Sequence, residues 1–311
     1  MHSRDLRAAV LCLAGGFSLL ACPLLGQDSA YQRDLQAWRD RYVRELTKPD
    51  GWLSLAGLEW LAPGDNPFGS AADNKIRLPL NAPAHLGVLR LEGQVVTLHP
   101  PAGGFPRDLL VDGKQAAPQQ LPFEPDRGDQ GNPRLTIGSL QMYVVERGGR
   151  FALRIKDAQA ATLVHFAGLN WFSPNEEYRF VAAWVPYNPP KSLTLLTLIG
   201  STYTRPVYGA AAFGFRGKTF RLEPIVDDEG ESRLHFVIRD TTSSSTTYPA
   251  CRFLYTGFPS NGLDKPGELV LDFNHLENPP CAYTPYATCP LPPPGNRLPI
   301  ALPVGEKRYH D

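Results

Sequence analysis

The chain has 311 residues, 42% of them hydrophobic, with 5 Trp, 12 Tyr and 15 Phe. That is enough for one large or two modest cores, and too apolar for a disordered polymer. Lys and Arg total 31 and Asp and Glu total 31, so no net basic field draws the chain to nucleic acid or anionic lipid. The 31 prolines and 28 glycines fall between short apolar runs, a punctuation that suits a mainly-β protein with many turns.

Residues 1–26 read as a signal peptide. Arg4 and Arg7 form a charged start, and Ala8 to Ala21 is an apolar run too short to span a bilayer comfortably. Leu19-Leu20-Ala21-Cys22 resembles a lipobox, with Cys22 as the lipid anchor. The apolar run continues through Pro23-Leu24-Leu25, which favours cleavage after Gly26 instead. The expected mature chain is periplasmic or secreted, with no transmembrane span; the alternative is a lipoprotein anchored through Cys22. Cys251, Cys281 and Cys289 then remain. Cys281 and Cys289 close a short loop and are the natural disulfide pair in an oxidising compartment.

Residues 27–49 carry the clear helix, over Ser29 to Lys48. Tyr31, Leu35, Trp38, Tyr42 and Leu46 form one apolar stripe. Asp28 or Ser29 caps its start, and Pro49 with Asp50-Gly51 ends it. Residues 50–160 read as strands: Ile76 to Leu78, Val88 to Leu91 and Val95 to Leu98, with a turn at Glu92-Gly93. Another turn stands at Asp112-Gly113. Leu135 to Glu146 and Arg150 to Lys156 read as two strands about Gly148-Gly149. Such spacing suggests a sandwich.

This segment resembles the forkhead-associated domain through Phe68-Gly-Ser70, Asp73 to Leu78, His85, the Gly93 hairpin and Asp112-Gly113. The resemblance implies a β-sandwich. That family binds phosphothreonine through an Arg after the first glycine and a Ser three residues before the His. Those positions are Ser70 and Ala82 here, so no phosphopeptide site is expected and His85 reads as structural.

Residues 165–311 read as a second antiparallel β domain. Tyr178 to Val185 and Lys191 to Ile199 flank a Pro189-Pro190 corner, and Thr219 to Leu222 follows Gly217. Leu234 to Arg239 and Ala250 to Tyr255 flank a polar turn over Asp240 to Thr247. Leu269 to Asn274 leads into a loop over residues 279–299, where repeated prolines exclude helix and central strand. The loop's Tyr, Cys and Leu content marks it as docked rather than solvated.

The chain resembles the bacterial family known as domain of unknown function 1684. Its carrying motifs are Pro49 to Leu61, Glu146-Arg-Gly-Gly-Arg150, Phe236-Val-Ile-Arg-Asp-Thr241, Asn278 to Cys289 and Pro292 to Pro299. The resemblance implies membership without an activity. Where the family pattern has Gly before Arg252, this chain has Cys251.

The polar residues before and within the proline loop are the site candidates: Arg239, Asp240, Arg252, Asp272, Asn274, Asn278 and Arg297. Asp272 and Asn274 alternate with apolar neighbours and so share one strand face. If the flanking strands pair, these groups converge beneath the loop. Buried Arg and Asp persist only when paired, so the cluster is an ion network anchoring the loop or a ligand site. Three functions follow. A binding module would hold a small polar or anionic ligand with Arg239, Arg252 and Arg297. A hydrolase would use Asp240 or Asp272 as general base beside Arg239 or Arg252. A structural envelope protein would need the motifs only for folding. His275, Cys281 and Cys289 lack metal-ligand spacing, and the residues identify no cofactor.

Overall fold

The computed structural model describes residues 29–122, 131–227 and 232–309. The signal-peptide and Cys22 readings lie outside the described residues. The chain is mainly β, as its punctuation implies. Helix α1 spans Ala30–Leu46; Ser29 caps it, its hydroxyl accepting from Gln32 N while the Gln32 side chain accepts from Ser29 N. This reciprocal pairing satisfies two amides that the first turn leaves without partners.

Eleven strands follow: β1 Leu55–Trp60, β2 Gly64–Gly69, β3 Ile76–Arg77, β4 Gly87–Glu92, β5 Val95–His99, β6 Leu110–Val111, β7 Lys114–Gln115, β8 Gln119–Gln120, β9 Leu135–Ile137, β10 Leu140–Arg147 and β11 Arg150–Asp157. They form two sheets, ordered β1-β11-β10-β9-β6-β7 and β3-β2-β4-β5-β8. Phe68, Leu89 and Leu98 of one sheet and Leu135, Met142 and Leu153 of the other fill a shared core. The two sheets therefore pack as a sandwich. One expected strand is two: Gly138 takes a positive φ of 55° and turns the chain between β9 and β10.

The second half holds a four-stranded antiparallel sheet, β14-β13-β12-β17, from β12 Arg179–Leu196, β13 Thr202–Phe215, β14 Lys218–Leu222 and β17 Gly267–Asp272. Beside it lies a two-stranded ribbon, β15 Arg233–Ile238 with β16 Arg252–Gly257. The expected corner at Pro189-Pro190 is instead part of one strand. The β12–β13 register shifts between Pro186 and Lys191, so Pro189 and Pro190 sit in a bulge where the ladder asks for no N–H.

Alternation along the ribbon positions the site. Leu234, Phe236, Ile238 and Leu254 enter the second core with Trp184, Phe213, Leu271 and Phe273. The opposite face carries Val237 and Phe253, which pack with Leu55, Cys251, Ala287 and Cys289. The proline loop thus covers one ribbon face and touches the first sandwich strand. Helix α1 packs on the same half: Trp38 meets Trp171 and His275 edge-on, with ring centroids 5.6 and 4.6 Å apart. No helix among the described residues is long and apolar enough to cross a membrane.

Candidate functional site

The seven sequence candidates separate into three groups. Arg252 and Asp240 form an ion pair at 2.8 Å with both side chains 1% exposed. The Arg252 guanidinium also donates to the carbonyls of Leu302 (2.8 Å), Val304 (2.5 Å) and Glu306 (3.3 Å). Asp240 Oδ1 accepts from Thr242 N, Thr242 Oγ1 and Leu302 N. Both groups anchor the C-terminal segment. Arg239 and Arg297 are exposed; their backbones bridge, with Leu298 N donating to Arg239 O at 2.7 Å.

Asp272 and Asn274 do not share a strand face. β17 ends at Asp272, whose Oδ1 caps a 3-10 turn over Phe273–His275 by accepting from Asn274 N at 3.0 Å. Asn274 exchanges hydrogen bonds with the backbone of Asn175 and fixes the connection between the halves. Asp272 also accepts from Tyr31 of α1 at 3.1 Å. Burial pushes the Asp272 carboxyl up, but hydrogen bonds from His275 and Asn274 outweigh it and hold the pKa down.

Asn278 belongs to a third cluster. Its N and Nδ2 donate to Glu306 at 2.8 and 2.7 Å, and Tyr283 OH donates to the same carboxylate at 2.7 Å. Tyr42 of α1 joins through Asn278 O and Tyr283 OH. Burial raises Glu306 to about 7 and neighbouring Glu277 to about 8, and the Glu306 charge adds to the rise at Glu277. Glu306 has three donors and nearby Arg252, so it is the member that ionises first.

Of the seven, only Asn278 lines a cleft of about 1820 Å³ between the sandwich and the second half. Asp272 lines a smaller annex of about 450 Å³, which shares Trp38, Arg41, Tyr255 and Glu277 with the cleft. One cleft wall is the outer face of β10 and β11. There Met142, Val144, Leu153 and Ile155 point to the sandwich core, and the alternate positions present Tyr143, Arg147, Arg154 and Lys156 to the cleft. Arg154 is 1% exposed, unlike a solvent-facing strand residue. The other wall is the ribbon with His235, Phe253 and Tyr255, joined by Tyr203 and Arg205 of β13. The proline loop contributes Pro280, Tyr283, Thr288 and Cys289. Arg147 Nε spans the walls by donating to Thr288 Oγ1 at 3.2 Å.

Eight Arg and Lys and five Asp and Glu of the described residues line this cleft. The cations lie over rings: Arg134 over Tyr143 at 3.6 Å, Arg233 over Tyr255 at 4.3 Å and Arg205 over Tyr203 at 5.2 Å. Such pairs form planar, positively charged surfaces. No group of three or more His, Cys, Asp and Glu among the described residues has the geometry to hold a metal ion. Cys251, Cys281 and Cys289 are thiols here, and Cys281 N donates to Cys289 Sγ at 3.3 Å. A hydrogen bond from Cys289 holds the Cys281 thiol below its ordinary pKa, whereas burial raises Cys289.

The fold and cleft define a mainly-β protein with a cationic, aromatic cavity between two β units. The chain belongs to the family described as Protein of unknown function (DUF1684), which matches residues 164–307. The motifs over Phe236 to Thr241, Asn278 to Cys289 and Pro292 to Pro299 lie inside that match; Pro49 to Leu61 and Glu146 to Arg150 lie outside it. The chain is also similar to an uncharacterized protein of Haloarcula marismortui with a solution NMR structure. Identity is 30%, covering 46% of this chain and 77% of that one, with a TM-score of 0.39. No curated protein matches the chain.

Proposed function

We propose that this protein binds a small anionic ligand with a planar or aromatic part, in the cleft bounded by the proline loop. The observation that supports this reading most is the pairing of cations with rings on both walls: Arg134 on Tyr143 on one, Arg233 on Tyr255 and Arg205 on Tyr203 on the other. A ligand there meets charge-assisted donors and ring faces together. The Arg252–Asp240 network anchors the C-terminal segment in this reading and is not the ligand's partner.

Calorimetric titration with 1-naphthyl phosphate tests the reading. Binding should weaken with added salt. Lys156→Gln on the sandwich wall and Arg205→Gln on the other should each cost about tenfold in affinity, or about 1.4 kcal/mol. Unchanged affinity in both variants would oppose the cleft as the site.

We further propose that the chain is exported to the periplasm or beyond, either freed by removal of residues 1–26 or anchored through Cys22, and that Cys281 and Cys289 pair there. The support is the leader-like N-terminus and the approach of the two residues across an eight-residue step. Alkylation of the denatured exported protein should label one of these three cysteines before reduction and all three after it. Three labels without reductant would remove the pairing.

A further inference from the structure

His235 is a feature of the cleft that anchoring and packing leave unexplained. It is a cleft-lining residue 4% exposed. Its Nδ1 lies 2.8 Å from Asp227 Oδ2. Tyr255 stacks on the ring at 4.5 Å between centroids, and Phe253 meets it edge-on at 4.4 Å. The ring is therefore fixed in position and orientation. Its Nε2 is buried and makes no hydrogen bond. Leaving such a group unsatisfied is unfavourable, and a buried polar atom held so firmly without a partner asks for one from a ligand.

The surroundings indicate the ligand's charge. Arg205 Nε donates to the Asp227 carbonyl at 2.9 Å. The Arg233 guanidinium lies over Tyr255, the ring that stacks on His235. Arg147 approaches from the opposite wall, and its charge and that of Arg205 both act on the Tyr203 hydroxyl. Two acids face the same region, Asp227 and Glu277. Burial pushes the Asp227 carboxyl up, but the His235 hydrogen bond and the charges of Arg233 and Arg205 outweigh it and keep it low. An ionised Asp227 accepts from Nδ1–H. Nε2 is then a bare lone pair in the neutral ring or an N–H donor in the imidazolium, and an oxyanion selects the donor.

We propose that His235 Nε2, with Arg147, Arg205 and Arg233 around it, is the subsite for the oxyanion head group of the cleft's ligand. This rests on the cleft being a ligand site and adds where the anionic end lies and what receives it. The head group is a phosphate, sulfate or carboxylate. Its negative charge meets three guanidinium groups and one imidazolium, and Asp227 holds the imidazolium from behind.

Sulfate is the first probe because its charge is constant across the pH range in which imidazole titrates. Acetate in a parallel arm separates a planar carboxylate from a tetrahedral oxyanion. At fixed pH, nitrogen-15 spectra of the full mature chain should show the His235 Nε2 resonance moving toward the imidazolium position and saturating as sulfate is added. His235→Gln should weaken sulfate binding about tenfold, the worth of one charge-assisted hydrogen bond. The wild-type spectrum carries the test if that variant fails to fold. Responses at Tyr143 and Lys156 with a silent His235 would overturn the subsite and leave the cleft reading standing. Silence throughout the cleft with both anions would overturn both.

Discussion

Replacing Arg252 with Ala should unfold much of the protein at growth temperature. The substitution strands Asp240 at 1% exposure without its ion partner and removes the donor to the carbonyls of Leu302, Val304 and Glu306. Breaking one side of a buried pair costs about 3–5 kcal/mol, against a total stability of about 5–15 kcal/mol for ordinary domains. Arg239→Ala and Arg297→Ala remove exposed side chains and should stay within about 0.5 kcal/mol. Urea denaturation of the three variants checks this. Equal losses would mean that the arginines act together, as a ligand site would require. A double Arg252→Met, Asp240→Leu variant should recover part of the loss, because it leaves no buried charge behind.

Stability should fall as pH rises from about 5 to 9. Glu306 and Glu277 titrate in the folded chain at about 7 and about 8, above the ordinary carboxyl value of 4.5. Below 4.5 both states are protonated and the pair contributes no difference. Between 4.5 and 8 the unfolded chain has released protons that the folded chain still holds, so the slope of stability with pH is negative. Above the folded values the loss is complete. At face value the two raised carboxyls are worth roughly 8 kcal/mol, and screening of the part of Glu277 that reaches the cleft leaves a loss of several kcal/mol to which both carboxyls contribute. Asp227 and Asp272 are lowered instead, so their contribution is lost only in acid, as pH falls through their folded values. Urea midpoints at several pH values measure the slope. Glu277→Gln should flatten it; a slope unchanged in that variant would place the buried protons elsewhere.

The cap at Ser29, the stripe of α1 and the β4–β5 and β6–β7 hairpins were legible because local pattern and tertiary demand agree there. The break at Gly138 was hidden by an apolar run that continues on both sides. The continuity of β12 through Pro189 and Pro190 was hidden because a bulge excuses the prolines from the ladder. The candidate residues were legible as important polar groups, and their satisfaction was not. Whether Arg252 meets a ligand or the carbonyls of residues 302–306 depends on where the C-terminal segment docks. The cleft was missed for a related reason. Tyr143, Arg154 and Lys156 alternate with core residues on β10 and β11, and nothing local in the sequence marks what covers them. Only the approach of the second half buries them. His235 shows the same alternation against Leu234 and Phe236, and its partner Asp227 lies eight residues away across an isolated bridge at Ile225.

A crystal structure of the mature protein with 1-naphthyl phosphate tests the central claim most directly. The account predicts electron density in the cleft, with the phosphoryl group beside His235 and the arginines and the naphthyl ring against the cleft's aromatic side chains. A ligand bound outside the cleft, or no ligand at concentrations that saturate the protein in solution, would contradict it.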